Sequence, residues 1–589
     1  MKSFDSMRRD FLRKGGIGMA AAGFPLVSFA ASAQEGDHAG AVPAQGIFDV
    51  RKFGATGDGK TLDTQAVNRA IEAAAAAGGG VVFFPAGTYL CFSIRLKSQV
   101  HLYLGQGSTI LAADSPKPGE QTGYNGGTYD AAEPNTAWDA YQDYGHNHWH
   151  NSLLWGEDLH DLSITGPGLI HGKGLSFGAG PAPAPSTVLR GFGAPEPAGR
   201  QAKNGQSASG PAPAQPPRHF TPRGDYPMYQ AEQEGVGNKA IALKNCRNVL
   251  FRDFSILKGG HFGFLLTGVD NVTIDNIKID TDRDGIDIDC CQNVRVSNCT
   301  VNSPWDDGIC PKSSYALGYA RATRNVIIAN NWVTGCFQLG TVLDGTFKKF
   351  PADQRPYGTG RIKCGTESNG GFINITITGN VFEGCLGYAL ESVDGALLED
   401  ITISNTTMRD LASGPLFYRL GSRLRGPKES TKVGTFRRVL VNNLTCYNAS
   451  ARQASVLSGI PNYPLEDLKF SDIYIETAGG GSAEDAKAMP TEQEDNYPDP
   501  GRFGVTPSTG LFFRHIRNLE MSHVEIANRT ADARPPFYLG GVDRVDLFAI
   551  TGPRVSGGAI LLNDVKDLRI GWSRATADVV LSSVDAKTL

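Results

Sequence analysis

The stretch from Asp282 to Lys312 reads DRDGIDIDCCQNVRVSNCTVNSPWDDGICPK. It states one phrase twice. Asp284-Gly285-Ile286 comes first, then Asp307-Gly308-Ile309, with Asp306 directly before the second. Between them Asn293-Val294-Arg295-Val296-Ser297-Asn298 alternates as a strand does and ends on a turn residue. That alternation has relatives along the chain. Val272-Thr273-Ile274 precedes it, and the step from Val272 to Val294 is 22 residues. Val326-Ile327-Ile328, Ile373-Asn374-Ile375 and Ile401-Thr402-Ile403 follow, and the pattern recurs as far as Leu568-Arg569-Ile570. One short strand phrase repeated at this step, without hairpin turns between copies, predicts an all-β solenoid: a right-handed parallel β-helix whose turn asparagines form a hydrogen-bonded ladder. A β-sandwich or propeller would need the hairpin signals that are missing.

The open end of a solenoid exposes apolar side chains and unpaired backbone, so a cap is expected. Asp63 can cap a helix from Thr64 to about Ala77, with Ala66, Ile71 and Ala74 on one face, stopped by Gly78-Gly79-Gly80. Three stretches break the rhythm and read as long loop excursions: 106–150, rich in Tyr, Trp, His and Asn; 174–218, rich in Pro, Ala and Gly; and 478–509, acidic and Gly/Pro-rich. At the start, Arg8-Arg9-Asp10-Phe11-Leu12, a mild apolar run and Ala31-Ser32-Ala33 predict a Tat-type export signal over 1–33. A flexible lead (34–46) and a single β-helix domain (47–589) follow. The Tat machinery is then a partner, and the protein works in the periplasm or outside. The ten cysteines include no CxxC pair. Folding before export argues against a disulfide framework, and they read as small buried residues at repeat ends. The net charge of -4 and the lack of a basic block give no sign of nucleic-acid binding. No apolar run after the N-terminus is long enough to span a membrane.

If Ile309 stacks on Ile286, the coil is 23 residues long and Asp284 lies beside Asp307 on strands about 4.8 Å apart. Ile286 and Ile288 then face in, and Asp287 and Asp289 face out. With Asp306 next door, three carboxylates gather within roughly 5–10 Å. An inverting glycosidase needs an acid and a base roughly 6.5–9.5 Å apart with room for a water. Crowded like charges keep a proton on one of them. Aspartates also mark plain turns, but a doubled phrase in coil register with an extra acid points to catalysis by Asp284, Asp306 and Asp307. Farther on, Arg361-Ile362-Lys363 repeats the inward Ile with two outward cations. They can bind a substrate carboxylate or neutralise the aspartates. Lys312 and Arg283 are candidates for the same work. Trp305, directly before the acids, can stack on a sugar face. Trp149, Trp155 and Tyr315 could do so or pack in the core. Neither a metal nor a cofactor is expected.

These phrases together resemble glycoside hydrolase family 28, the polygalacturonase and rhamnogalacturonase group. The likeness covers most of the chain from FDVRKFGATGDGKTLDTQAVNRAI onward. That family carries an Asn-Thr-Asp-Gly phrase, an Asp-Asp pair, a Gly-His-Gly phrase and an Arg-Ile-Lys phrase. Here Asp306-Asp307 and Arg361-Ile362-Lys363 match the second and fourth, and Asp284-Gly285 stands at the first with Asp282-Arg283 where Asn-Thr would be, a change that hints at an altered sugar pocket. The resemblance implies that Asp306 is the general acid and that Asp284 and Asp307 hold and deprotonate the attacking water, with inversion. The third phrase is absent: Gln338-Leu339-Gly340 stands in its place, with Leu339 where His would be. His261, or the group His146, His148 and His150, could substitute. The implied substrate is an acidic, uronate-containing poly- or oligosaccharide, and excursions that wall off the cleft would favour exo action. The alternatives are a β-helix polysaccharide lyase, with Arg361 or Lys363 as base and calcium on the aspartates, and a non-catalytic glycan-binding β-helix.

Overall fold

The computed structural model of the protein describes residues 46–142, 145–176, 233–335, 337–349, 358–555 and 557–589. The expected export signal, all of the lead but Gly46, and nearly all of the 174–218 excursion lie outside the described residues.

Each turn of the chain lays three short strands on those of the turn before. Asp284–Asp289, Gln292–Ser297 and Thr300–Asn302 make one coil. The next coil pairs with it in parallel, with Ile309 against Ile286, Val326 against Val294 and Val333 against Val301. All six of these side chains are buried, and their equivalents form one apolar column through the solenoid. Burying one such side chain is worth about 1.5–3 kcal/mol, which is why the alternation reads so clearly. From Leu397 onward the second and third strands fuse: Leu397–Arg409 pairs with both Gly371–Thr378 and Val381–Glu383.

One face of the solenoid matters most here. Its strands, one per coil, are β1 (Leu154–Glu157), β2 (Lys239–Lys244), β3 (Phe262–Thr267), β4 (Asp284–Asp289), β5 (Ile309–Lys312), β6 (Ile362–Cys364), β7 (Tyr388–Ser392), β8 (Leu416–Leu420), β9 (Ser455–Ser458), β10 (Leu511–Asn528) and β11 (Phe537–Phe548). Each pairs in parallel with the next.

The expected ladder is present at the turn before the second strand of each coil. Asn248, Asn271, Asn293, Asn325 and Asn374 all take positive φ, between 54° and 60°. Asparagine tolerates that region better than other side chains. Each amide donates to the residue one coil back: Asn271 to Asn248 at 3.1 Å, Asn293 to Asn271 at 3.2 Å, Asn325 to Asn293 at 2.9 Å and Asn374 to Asn325 at 2.9 Å.

Helix α1 (Thr64–Ala76) covers the N-terminal end, burying Ala66, Val67, Ala70, Ile71 and Ala74. Asp63 precedes it as expected but makes no side-chain cap. Its carboxylate instead accepts the backbone N–H groups of Thr56 and Gly57, at 2.6 and 3.0 Å, and so pins the Gly/Asp turn. At the other end Val579–Thr588 pairs antiparallel with Ile560–Gly571. The nine cysteines among the described residues are unpaired and buried.

Substituting Asn293→Ala removes two rungs of the ladder and places alanine at positive φ. It should lower the thermal midpoint, by the equivalent of about 1–2 kcal/mol. Asn293→Gly loses the same rungs but accepts the backbone geometry, so calorimetry should find its midpoint higher than that of the alanine variant. Equal midpoints would refute the backbone part of this account.

Candidate active site

Strands β4, β5 and β6 bring the doubled phrase and Arg361-Ile362-Lys363 onto three successive coils, with Ile309 against Ile286 and Ile362 against Ile309. The glycine of the first phrase has a packing reason. A Cβ on Gly285 would meet the Gly308 carbonyl oxygen at 2.4 Å. Its own N–H donates to Asp307 O at 2.9 Å. The close stack demands glycine there, and the aspartate before it is thereby set beside the next coil's aspartate.

Asp284, Asp306 and Asp307 each place a carboxylate oxygen within 4.8 Å of the others. That is tighter than the span expected from strand spacing, and nearer to the roughly 5–5.5 Å of retaining glycosidases than to inverting ones. The cause is a shared donor: the Asp307 N–H reaches Asp306 Oδ1 at 3.1 Å and Asp284 Oδ1 at 3.3 Å. All three residues are buried, with exposures of 3, 6 and 1% in sequence order.

Their surroundings separate them. Arg361 Nε donates to Asp307 Oδ1 at 2.5 Å, and Lys363 Nζ lies 2.7 Å from Oδ2. Burial is the largest single effect on Asp307 and pushes its carboxyl up. Arg361, Lys363 and Lys312 together outweigh it and hold the carboxylate well below the usual range. Asp284 has no such partner. Burial first, then the charges of Asp287 and Asp306, push it well above the usual range. Asp306 is held by Arg283, whose Nη2 donates to Oδ2 at 2.8 Å.

The candidate substrate-binding cations are thus engaged by acids. Arg361, Lys363 and Lys312 have side-chain exposures of 1, 2 and 4%, whereas Arg283 keeps 29%. Lys312 Nζ lies 3.2 Å from Glu367 Oε2 and 3.6 Å from Asp287 Oδ2. Asp287 faces away from the apolar column as expected, yet it is fully buried. Burial pushes its carboxyl up to about 7, against the pull of Lys312. Trp305 is half-buried, its backbone N–H donating to Asp282 O at 3.0 Å.

Two of the excursions come down on this face. From 106–150, Trp149 packs on Ala242 of β2 and Phe262 and Leu265 of β3, with Nε1 donating to Thr267 at 3.0 Å. From 478–509, Tyr497 OH accepts from Thr366 Oγ1 at 2.9 Å and Lys363 Nζ at 3.4 Å, and Phe503 lies against Phe417 of β8. Arg514 Nη1 anchors that loop through Pro490 O at 2.7 Å. The acids lie between the two.

The absent third phrase has a structural counterpart. Phe337–Leu339 does not join the coil ladder but pairs antiparallel with Lys348–Lys349, so β6 stacks directly on β5. Of the candidate histidines, His146 and His261 reach the acids: a ring nitrogen of each lies within 4.8 Å of the other and of an Asp284 oxygen. His261 stacks on Phe262 at 4.3 Å, and burial first, then Arg283, holds its imidazole well below the usual value. His148 and His150 turn elsewhere, to Asn135 and to Glu133 and Glu157. Sequence reasoning gave no role to Glu367, Glu391 or Tyr497. Glu391 on β7 is fully buried, 3.9 Å from Arg361 Nη1. Its signal was an acid at an outward strand position; Tyr497 sits on a loop with no register to read.

Three groups among the described residues are close enough to hold a metal ion: His146, His261 and Asp284; Glu133, His150 and Glu157; and the three aspartates. In the last, Arg361 and Lys363 already balance Asp307, which weakens the case for a cation there.

The family described as "Rhamnogalacturonase A/epimerase, pectate lyase-like" matches residues 47–138, and "Right handed beta helix region" matches residues 234–424. The fold is a right-handed parallel β-helix. An exo-poly-alpha-D-galacturonosidase from Dickeya chrysanthemi is 23% identical over 392 residues, 64% of this chain and 57% of that one. The mannuronan C5-epimerase AlgE2 of Azotobacter vinelandii is 33% identical over 135 residues, only 20% of this chain and 14% of that one. The structure of a family 28 exopolygalacturonase from Yersinia enterocolitica aligns with a TM-score of 0.56 at 18% identity, covering 85% of this chain and 78% of that one. The match thus spans 57% of the Dickeya protein's length and 14% of the Azotobacter protein's, less than two thirds of each.

The buried acids make stability depend on pH. Asp287 rises from 3.8 to about 7 on folding, so the folded protein holds its proton more tightly. Its contribution is fully present below pH 3.8 and is lost as pH rises to about 7. Asp287→Asn should flatten the fall in thermal midpoint between about pH 4 and 7. An unchanged slope would remove Asp287 as its source.

Proposed function

We propose that the protein is a glycoside hydrolase acting, with inversion and from a chain end, on a uronate-containing poly- or oligosaccharide of the pectic kind. The observation that carries this reading is the unequal setting of three carboxyls within 4.8 Å of one another: Arg361 and Lys363 bond Asp307 and hold it ionised, whereas burial and neighbouring acids push the Asp284 carboxyl up. The Dickeya galacturonosidase likeness supports the pectic class.

In this reading Asp307 takes a proton from the attacking water. The proton for the leaving oxygen comes from the Asp284–Asp306 pair, and Asp306, the more exposed member, delivers it. A carboxylate held as low as Asp307 is a feeble base. A substrate uronate that draws Arg361 or Lys363 toward itself relaxes that hold, so binding raises base strength. Arg283, the most exposed site cation, and Trp305 meet the sugar beside the acids. His146 and His261 flank Asp284 where the family's histidine is lacking. The loops on either side of the acids favour a chain end over an internal segment. Inversion rests on the family likeness, since the oxygen spacing is short for it. The charge balance weighs against a lyase: Asp307 holds Arg361 and Lys363 protonated despite burial, which leaves neither suited to act as base.

Asp306→Asn should lower turnover on pectic oligosaccharides by about 10²–10⁴-fold while leaving binding and the thermal midpoint near wild type. Glycosides with activated leaving groups should lose less. Wild type should release reducing ends as small products, chelator present or not, and proton NMR should find the first-formed anomer inverted. An ultraviolet-absorbing unsaturated product, or an Asp306→Asn enzyme of comparable rate, would sink the reading.

The proposed setting is the periplasm or beyond, by Tat export of the folded chain. Replacing both Arg8 and Arg9 by lysine should retain the protein in the cytoplasm, as cell fractionation would detect; unchanged export would refute this route.

A further inference from the structure

Beside the acids lies a second concavity that the chemistry above does not use. It encloses about 530 Å³ between residues 131–151 and 233–236. The same loop serves both places: His146 stands over Asp284, and Asn147 and His148 line the cavity. The wall is polar and carries buried groups with nothing to bond. Gln142 is 1% exposed, and neither its amide oxygen nor its amide nitrogen has a partner. Asn147 is 6% exposed with its Nδ2 unpartnered. The wall carboxylates are less free: Glu133 Oε1 lies 3.4 Å from His150 Nε2 and Asp139 Oδ2 4.0 Å from His148 Nε2. A buried amide with no partner is unfavourable, and several converging on one cavity mark a place for a polar ligand.

From these groups we propose that the cavity is a subsite for an uncharged, hydroxyl-bearing sugar residue adjoining the uronate. This rests on the hydrolase reading and deepens it. Three features decide the class. The volume is that of a small-molecule site, far larger than one cation requires. Of the wall carboxylates only Glu133 belongs to a possible metal group, and its fellows there, His150 and Glu157, do not line the cavity. Among the described residues no lysine or arginine lines the wall, so a second uronate carboxylate would meet mainly carboxylates and amides there. Lys239 sits behind it, its ammonium given to Asn151 Oδ1 at 3.0 Å and to Asn238. Sugar hydroxyls suit the wall, donating to the acids and amide oxygens and accepting from the amide nitrogens.

The test is calorimetry on the Asp306→Asn protein with two probes: a tetrasaccharide alternating rhamnose and galacturonate, and tetragalacturonate. The mixed probe should bind more tightly. Gln142→Ala and the near-isosteric Gln142→Glu should each weaken it by about tenfold and leave tetragalacturonate unchanged. Equal loss on both probes, no loss on either, or tighter binding of tetragalacturonate would overturn the subsite. The hydrolase reading is checked separately by product release from the wild type. If that fails while the Gln142-dependent preference persists, the cavity binds a neutral sugar in a protein that does not cleave it.

Discussion

Everything at the site depends on one stacking contact: isoleucine on isoleucine on isoleucine, at positions 286, 309 and 362. Buried apolar side chains in successive coils tolerate no slip, because a shift of one residue would turn every inward side chain outward. With the column fixed, the residue before each glycine has one place to go. The backbone positions of the acids are therefore set by core packing, and the Asp307 N–H then draws the Asp284 and Asp306 carboxylates together. Their mutual repulsion is tolerated because the apolar column holds the backbone and Arg361 and Lys363 balance the most crowded member.

A rigid scaffold of this kind leaves specificity to what is thrown out from it. The 106–150 and 478–509 excursions return to one face and bring His146, Trp149 and Tyr497 against strands far from them in sequence. Their charges matter as much as their shapes. Asp287 and Glu391 are outward strand residues that would be solvated on a bare solenoid. Under the loops both are fully buried, and burial is the largest influence on each. The excursions convert a surface of ordinary carboxylates into a site with unequal ones.

The parts legible in the sequence were those with a period. The coil step, the inward Ile286 and Ile309, the asparagine ladder, the capping helix and the pairing of Asp284 with Asp307 all follow from spacing. What needed coordinates was aperiodic or electrostatic. Asp63 was read as a helix cap because it precedes Thr64, but the turn at Thr56 and Gly57 competes for the same carboxylate and takes it. Arg361 and Lys363 could be placed beside the acids, but only geometry showed that both point at Asp307. The three carboxylates proved closer than strand spacing suggests because one backbone N–H draws two of them in. Glu367, which shares Lys312 with Asp287, and Tyr497 gave no signal, since neither lies in the coil pattern.

The two ends of the column have a consequence for how copies of the protein behave together. A parallel solenoid is a template for its own extension, and identical bare coils would stack into filaments. At one end helix α1 covers the coil, and the edge strands beside it, Ile47–Asp49 and Asp58–Leu62, are only three and five residues long. At the other, Val579–Thr588 runs against the direction of the coils and is mostly exposed. An incoming parallel coil meets a strand of the wrong polarity there. Both ends are thus blunted against stacking by a second copy.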